Sequence, residues 1–183
     1  MLEKYLIEHC SPTLASIKTA NLINVSFDDI DVLKKSVDDV NSQLNDKGIN
    51  LLILKICNDK ALIYVCRLNS LKKDLQKSGV GDFLLDCGYD NTEPTECLSR
   101  LKTRLELSDT FPHEIGIFLG YPLGDVKGFI ENSGQNSKCS GCWKVYCNEC
   151  DAIKTFAKFN KCTKIYKKLW QNGRSINKLT VCA

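Results

Sequence analysis

The chain has 183 residues, of which 43% are hydrophobic and 26% charged, a balance that excludes a disordered tail protein. Lys and Arg number 25 against 22 Asp and Glu, and the net charge of +3 is too mild for the concentrated basic surface of a nucleic-acid binder. Eleven cysteines, two histidines and one methionine make thiols the abundant reactive group.

The opening segment reads as a helix with Leu2, Tyr5 and Leu6 on one face, and it stops at Cys10-Ser11-Pro12. Glu3, Lys4 and Glu8 interrupt any apolar core there, so it does not read as a secretory signal. Ser11 is a candidate N-cap, and Pro12 suits the first turn of a short helix running to Lys18. From Asp28 to Asp46 a single apolar stripe of Ile30, Leu33, Val37, Val40 and Leu44 predicts an amphipathic helix, with Gly48 as its stop. Leu51–Cys57 and Ala61–Arg67 are aliphatic runs separated by Asn58-Asp59-Lys60, which predicts a β-hairpin. Leu71–Gln76 reads as a short helix capped by Asn69. Val80-Gly81-Asp82 reads as a turn and Phe83–Cys87 as a short strand.

Pro94 opens a helix with Cys97, Leu98, Leu101, Leu105 and Leu107 on its apolar face, ended by Phe111-Pro112-His113. Glu114–Gly120 is apolar and reads as a strand. Pro122 starts a helix with Leu123, Val126, Phe129 and Ile130 facing inward, and a polar loop follows from Ser133 to Ser137. Trp143–Tyr146 reads as a strand and Asp151–Leu169 as the longest helix, burying Ala152, Phe156, Phe159, Cys162, Tyr166 and Leu169. Ile176 and Leu179 pack the tail. The expected architecture is a single domain over residues 1–183, α+β or α/β. It has a small mixed sheet of four to five strands, a hairpin in the N-terminal half, and helices packed on the sheet.

No window approaches the roughly 18 apolar residues of a membrane helix; the richest stretch, Leu51–Leu68, is broken by Lys55, Asn58, Asp59, Lys60 and Arg67. A cytoplasmic protein with reduced thiols is expected, since an odd count of 11 cannot pair completely.

Three clusters carry possible chemistry. Cys139-x-x-Cys142 and Cys147-x-x-Cys150 have the pairing of a zinc or iron site, because thiolates are soft, anionic ligands. An extended Trp143–Tyr146 would hold Cys142 and Cys147 about 16 Å apart at ~3.3 Å per residue, so a four-Cys centre requires that segment to be a turn. Failing that, either pair is a loop pair or a redox pair. His9-Cys10 lies at a helix end, where both side chains can reach a cleft. Phe111-Pro112-His113-Glu114 and Gly120-Tyr121-Pro122-Leu123-Gly124-Asp125 flank the expected strand. Tyr121 and Asp125 would sit at its mouth, with His113 and Glu114 about 20 Å away at its far end if the strand is extended. Dinucleotide, Walker and nucleophile-elbow motifs are absent, and two histidines exclude a His-rich catalytic metal site. The lysines from Lys154 to Lys168 read as a solvated face, or as a contact for an acidic partner.

The strings His9-Cys10-Ser11-Pro12-Thr13-Leu14, Phe111-Pro112-His113-Glu114-Ile115-Gly116, Gly120-Tyr121-Pro122 with Asp125-Val126 and Gly128-Phe129-Ile130, Trp143-Lys144-Val145-Tyr146, and Gly173-Arg174-Ser175 occur in that order. In these the chain resembles the bacterial domain of unknown function 3793, a family of clostridia and other anaerobes, over nearly its whole length. The resemblance implies no reaction. Association with flavodoxin and iron-uptake functions implies a setting in iron or redox physiology. Cys139, Cys142 and Cys150 depart from the family pattern, so a metal site built on them would be peculiar to this chain.

The leading expectation is a binding protein that holds a small molecule or a metal, zinc or iron, near His9, Cys10, His113, Glu114, Tyr121 and Asp125. The alternatives are a protein-interaction module without a site, and a thiol-dependent enzyme with Cys10 or Cys147 as nucleophile. Neither a membrane nor nucleic acid is expected as a partner.

Overall fold

A computed structural model of the protein describes residues 2–107 and 110–182. Helix α1 (Leu2–His9) is followed by the one-turn helix α2 (Ser11–Leu14), with Pro12 in its first turn, where a missing N–H leaves nothing unpaired. The N-cap position is Cys10 rather than Ser11, whose hydroxyl donates to the Ile7 carbonyl. Strand β1 (Ala20–Ser26) precedes α3 (Ile30–Leu44), which Asp29 caps by accepting from the Asp31 and Val32 amides. A 3-10 turn at Asn45–Lys47 and left-handed Gly48 (φ 81°) end that helix.

The predicted hairpin is β2 (Asn50–Cys57) and β3 (Lys60–Cys66), turning on Asn58 at φ 52°. Then come α4 (Leu68–Leu75), α5 (Val80–Asp86), α6 (Pro94–Leu107), α7 (Ile115–Phe118) and α8 (Leu123–Glu131). A small hairpin, β4 (Cys139–Ser140) and β5 (Lys144–Val145), leads to α9 (Glu149–Gln171) and α10 (Ile176–Leu179).

The main sheet has the order β1-β3-β2 with both neighbours antiparallel, and Ile63 of the central strand faces Ile23 and Ile53. Period-two alternation sends β3 side chains into two cores. Ala61, Ile63 and Val65 pack with Leu6, Val37, Leu44 and Ile176, from α1, α3 and α10. Tyr64 and Cys66 pack with Leu71, Leu84, Leu101 and Phe118, from α4, α5, α6 and α7. Burial on both faces is why β3 reads as an unbroken apolar run.

The protein is therefore mixed α+β. Among the described residues the sheet has three strands and not four to five, with the small hairpin standing apart from it. Three expectations fail locally. β1 went unseen because Asn21 and Asn24 interrupt its apolar residues, although Leu22 serves one core and Ile23 and Val25 the other. Val80–Asp86 is a helix, led in by left-handed Gly79, and Val80, Phe83 and Leu84 are buried at helical spacing. Ile115–Phe118 is a helical turn with all four residues buried, so its short apolar run carries no period by which to tell helix from strand. Among the described residues no helix is long and apolar enough to cross a membrane.

Two buried polar side chains tie the layers together. The Tyr64 hydroxyl donates to the Phe118 carbonyl at 2.5 Å and locks α7 to the central strand. Arg67, 1% exposed, donates from Nε to the Thr13 carbonyl (2.7 Å), from Nη1 to that of Lys47 (2.9 Å), and from Nη2 to those of Leu14 (2.8 Å) and Val181 (2.7 Å). It thus joins α2, the end of α3 and the C-terminal segment to β3. Replacing it by Met strands four carbonyls. Urea unfolding of R67M is expected to show a loss of about 3 kcal/mol or more, whereas R67K recovers only part of it because one ammonium cannot reach the same four acceptors.

Candidate functional site

The helical turn α7 decides what can meet. With Ile115 N bonded to the Pro112 carbonyl and Gly116 N to that of His113, the segment rises as a helix, at about 1.5 Å per residue, and not as a strand. Gly120, at φ 76°, then turns the chain so that the Tyr121 amide donates back to the Gly116 carbonyl at 2.9 Å. A Cβ on Gly116 would lie 2.7 Å from Val126 Cγ2 and 3.2 Å from Tyr121 Cδ2, so the close approach of α7 to α8 and Tyr121 depends on this glycine. The consequence is a correction: His113 and Tyr121 are not at opposite ends of a strand but line one cavity of about 490 Å³.

The opposite wall is the β4–β5 hairpin, held by Asp125 from α8. Asp125 is 3% exposed; its Oδ1 accepts from the Tyr146 and Cys147 amides (2.8 and 2.9 Å) and its Oδ2 from Trp143 Nε1 (2.8 Å). That places Trp143 in a stack on Tyr121, with centroids 4.9 Å apart at 27°, while Phe156 meets Trp143 edge-on at 4.6 Å. The Tyr121 hydroxyl donates to the Cys142 carbonyl at 3.2 Å. Phe129 of α8 packs edge-to-face on His113 at 5.0 Å. His113, Tyr121, Phe129 and Trp143 therefore enclose an aromatic hollow, with Lys144 also on its wall. Among the described residues the His113 imidazole makes no hydrogen bond, so its ring nitrogens are available to a ligand.

The remaining predicted site residues lie elsewhere. Glu114 is buried behind the turn, where its Oε1 pairs with Arg104 Nε at 2.7 Å and accepts from the Tyr89 hydroxyl at 3.1 Å, tying α6 to α7. Burial first, and then the Glu114 charge, push the Tyr89 hydroxyl well up from its ordinary range. His9 lines a different hollow of about 380 Å³, which shares Tyr121 with the first. Cys10 is wholly buried in the α1–α3 core, and burial pushes its thiol up to about 12. The two imidazoles and the Cys10 thiol thus share no hollow.

Cys139 lies in β4, Cys142 in the turn, Cys147 just after β5 and Cys150 in the first turn of α9, all as free thiols. Trp143–Tyr146 carries only two strand residues, Lys144 and Val145, with Cys139 opposite Val145. The turn clasps Asp125, with the Cys147 carbonyl taken by Lys138 Nζ at 2.7 Å. Among the described residues no group of three or more His, Cys, Asp or Glu side chains is gathered to hold a metal ion. Burial, and secondarily the carboxylate of Asp125, raise the Cys147 thiol, the opposite of what an activated nucleophile needs. Trp143 and Phe129 join the site although the sequence marks Trp143 only as a strand residue and Phe129 only as an inward-facing helix residue.

The fold and site define a mixed α+β protein, helices on both faces of a three-stranded antiparallel sheet, with an aromatic cavity beside it. A family model described as protein of unknown function (DUF3793) matches residues 6–180, and the chain belongs to that family. Neither the curated proteins nor the solved structures contain a match.

Two outcomes test this geometry. D125N turns an acceptor of three hydrogen bonds into a side chain with a donor aimed at donors. Chemical denaturation is expected to show a loss of about 3 kcal/mol, with Trp143 emission moving toward that of a solvated indole. Cys10 and Cys66 are each raised by burial from 9.0 to about 12. Their neutral thiols contribute stability that is complete below pH 9.0 and lost as pH climbs toward about 12. A C10A/C66A variant followed by urea unfolding across that window is expected to have a flatter alkaline limb than the parent.

Proposed function

We propose that the protein binds a small planar molecule in the cavity formed by His113, Tyr121, Phe129 and Trp143. The observation that carries this is the cavity itself. Its volume of about 490 Å³ lies in the range of organic-ligand pockets, roughly 300–1,000 Å³, several aromatic rings stand on its wall, and one imidazole is uncommitted. The rings of Phe129 and Trp143, the latter backed by Tyr121, favour a flat, conjugated ligand through stacking and edge contacts. His113 would fix its orientation by a hydrogen bond at the ligand's polar edge. The Asp125 carboxylate does not face the ligand as a free charge, because its oxygens are committed to the hairpin.

This reading favours the organic ligand over a metal, since no donor set is gathered among the described residues. It also ranks above a thiol-dependent enzyme, since the Cys10 and Cys147 thiols are both raised. A cytoplasmic setting belongs to the same proposal, supported by eleven free cysteines. So does a role in iron or redox physiology, which rests on the family resemblance alone. The second reading, a protein-interaction module, draws on the exposed Lys158, Lys161 and Lys164 of α9, but these are also what any solvated helix face presents.

The test is equilibrium binding of bicyclic and tricyclic heteroaromatic compounds, quinoline and acridine among them. Saturable one-site binding is expected, with F129A and H113A each weakening it by about tenfold or more while the thermal midpoint changes little for exposed His113. Absence of saturable binding by every planar probe, or an affinity in both variants equal to that of the parent, would overturn the assignment.

A further inference from the structure

Lys18 follows α2 and belongs to no site described above. Its Nζ lies 5.5 Å from the centroid of the Tyr121 ring and 5.9 Å from that of Phe159. Among the described residues the Lys18 ammonium makes no ion pair or hydrogen bond. The carboxylate of Asp74, on the wall of a neighbouring hollow that Lys18 also lines, is already committed: it accepts from the Thr19 hydroxyl and pairs with Lys77 at 2.6 Å. Glu8 and His9 of α1 line the same 380 Å³ hollow as Lys18, but Glu8 is not within ion-pair distance of it. Cys142 and Cys10, the other titratable neighbours, have thiols raised by burial and stay neutral at neutral pH. The ammonium is thus withdrawn from water against two ring faces with no anion beside it. Ring faces compensate a cation only in part. Burial pulls the Lys18 amine down from its ordinary value, the mark of a charge short of solvation.

Besides Glu8 and His9, the wall of the hollow carries uncharged hydrogen-bonding side chains. Asn160 and Thr163, one turn apart on α9, both line it, and neither side chain bonds to another described residue. A cation under the Tyr121 and Phe159 rings, lining one hollow with two neutral polar side chains, is a recognition set for a small oxyanion.

We propose that the hollow between Lys18, Asn160, Thr163 and Tyr121 is a second binding site, which takes a small oxyanion, a carboxylate or a phosphate, on the Lys18 ammonium. It is distinct from the aromatic cavity, and Tyr121 is a wall of both. Because Trp143 stacks on Tyr121, an oxyanion seated at Lys18 alters the surroundings of the indole.

The experiment titrates the full chain, carrying W170F so that Trp143 is its only tryptophan, with acetate, succinate and inorganic phosphate at constant ionic strength. Chloride is the control. Trp143 emission and isothermal calorimetry are read together. At least one oxyanion is expected to give a saturable response that chloride does not. K18M should weaken it by about tenfold or more, and K18R should retain most of it. Succinate and acetate acting without phosphate identify a carboxylate site; phosphate alone identifies a phosphate site. H113A, which alters only the aromatic cavity, should leave the response unchanged, so failure here and failure of the planar-ligand reading are separable. Circular dichroism establishes that K18M is folded, and N160A/T163A supplies a second variant expected to weaken binding. No saturable signal by either method with any oxyanion, or a response in K18M equal to that of the parent, overturns the proposal.

Discussion

A carboxylate taken out of water must find donors, and Asp125 finds three on one hairpin. That requirement shapes the side of the molecule that carries the aromatic cavity. β4 and β5 are only two residues each, too short to hold a conformation by their own ladder. They are organised from outside, by the buried carboxylate of α8 below and by the small core of Val145, Ala152 and Phe156 beneath. Once the Trp143 indole N–H is fixed on Asp125, its ring has to lie against Tyr121. The aromatic cavity and the Lys18 hollow meet at that tyrosine.

The facing wall is set by the sheet. Tyr64, buried in the central strand, reaches the Phe118 carbonyl, and the Arg104–Glu114 pair draws α6 onto the start of α7. The short helix between them is thereby held from two sides. His113 stands just before it and Tyr121 just after it, and the compact rise of a helical turn brings both to one hollow. An extended segment over the same residues would separate them. Glu114 thus works as a positioning residue: it touches the scaffold, while its neighbour His113 faces the cavity.

Much of the scaffold was legible in the residues. The stripe of Leu33, Val37, Val40 and Leu44 announced α3, Asn58-Asp59 announced the hairpin turn, and Pro94 and Pro122 marked helix starts that α6 and α8 follow closely. What failed was short. Ile115–Phe118 is wholly buried and lacks the exposed residues that would reveal a period, Val80–Asp86 carries an exposed Leu85 that extends the apolar run of Phe83 and Leu84, and β1 serves two cores, with Asn21 and Asn24 between its apolar positions. Of the site, His113, Tyr121 and Asp125 could be named from sequence, because they sit in Gly- and Pro-marked turns. Their partners could not. Trp143 and Phe129 look like ordinary core residues until the hairpin folds over, and Lys18 looks like any loop lysine until Tyr121 and Phe159, far away in the chain, close around it.

The account stands or falls on where a planar ligand lands. Side-chain and amide chemical shifts of the full-length protein, followed by NMR as a quinoline or acridine probe is added, locate it directly. The account predicts saturable shifts centred on His113, Tyr121, Phe129 and the Trp143 indole, with His9 and the β2 edge quiet. Shifts concentrated along β2 between α3 and α6, or none at the four aromatic side chains, would contradict it.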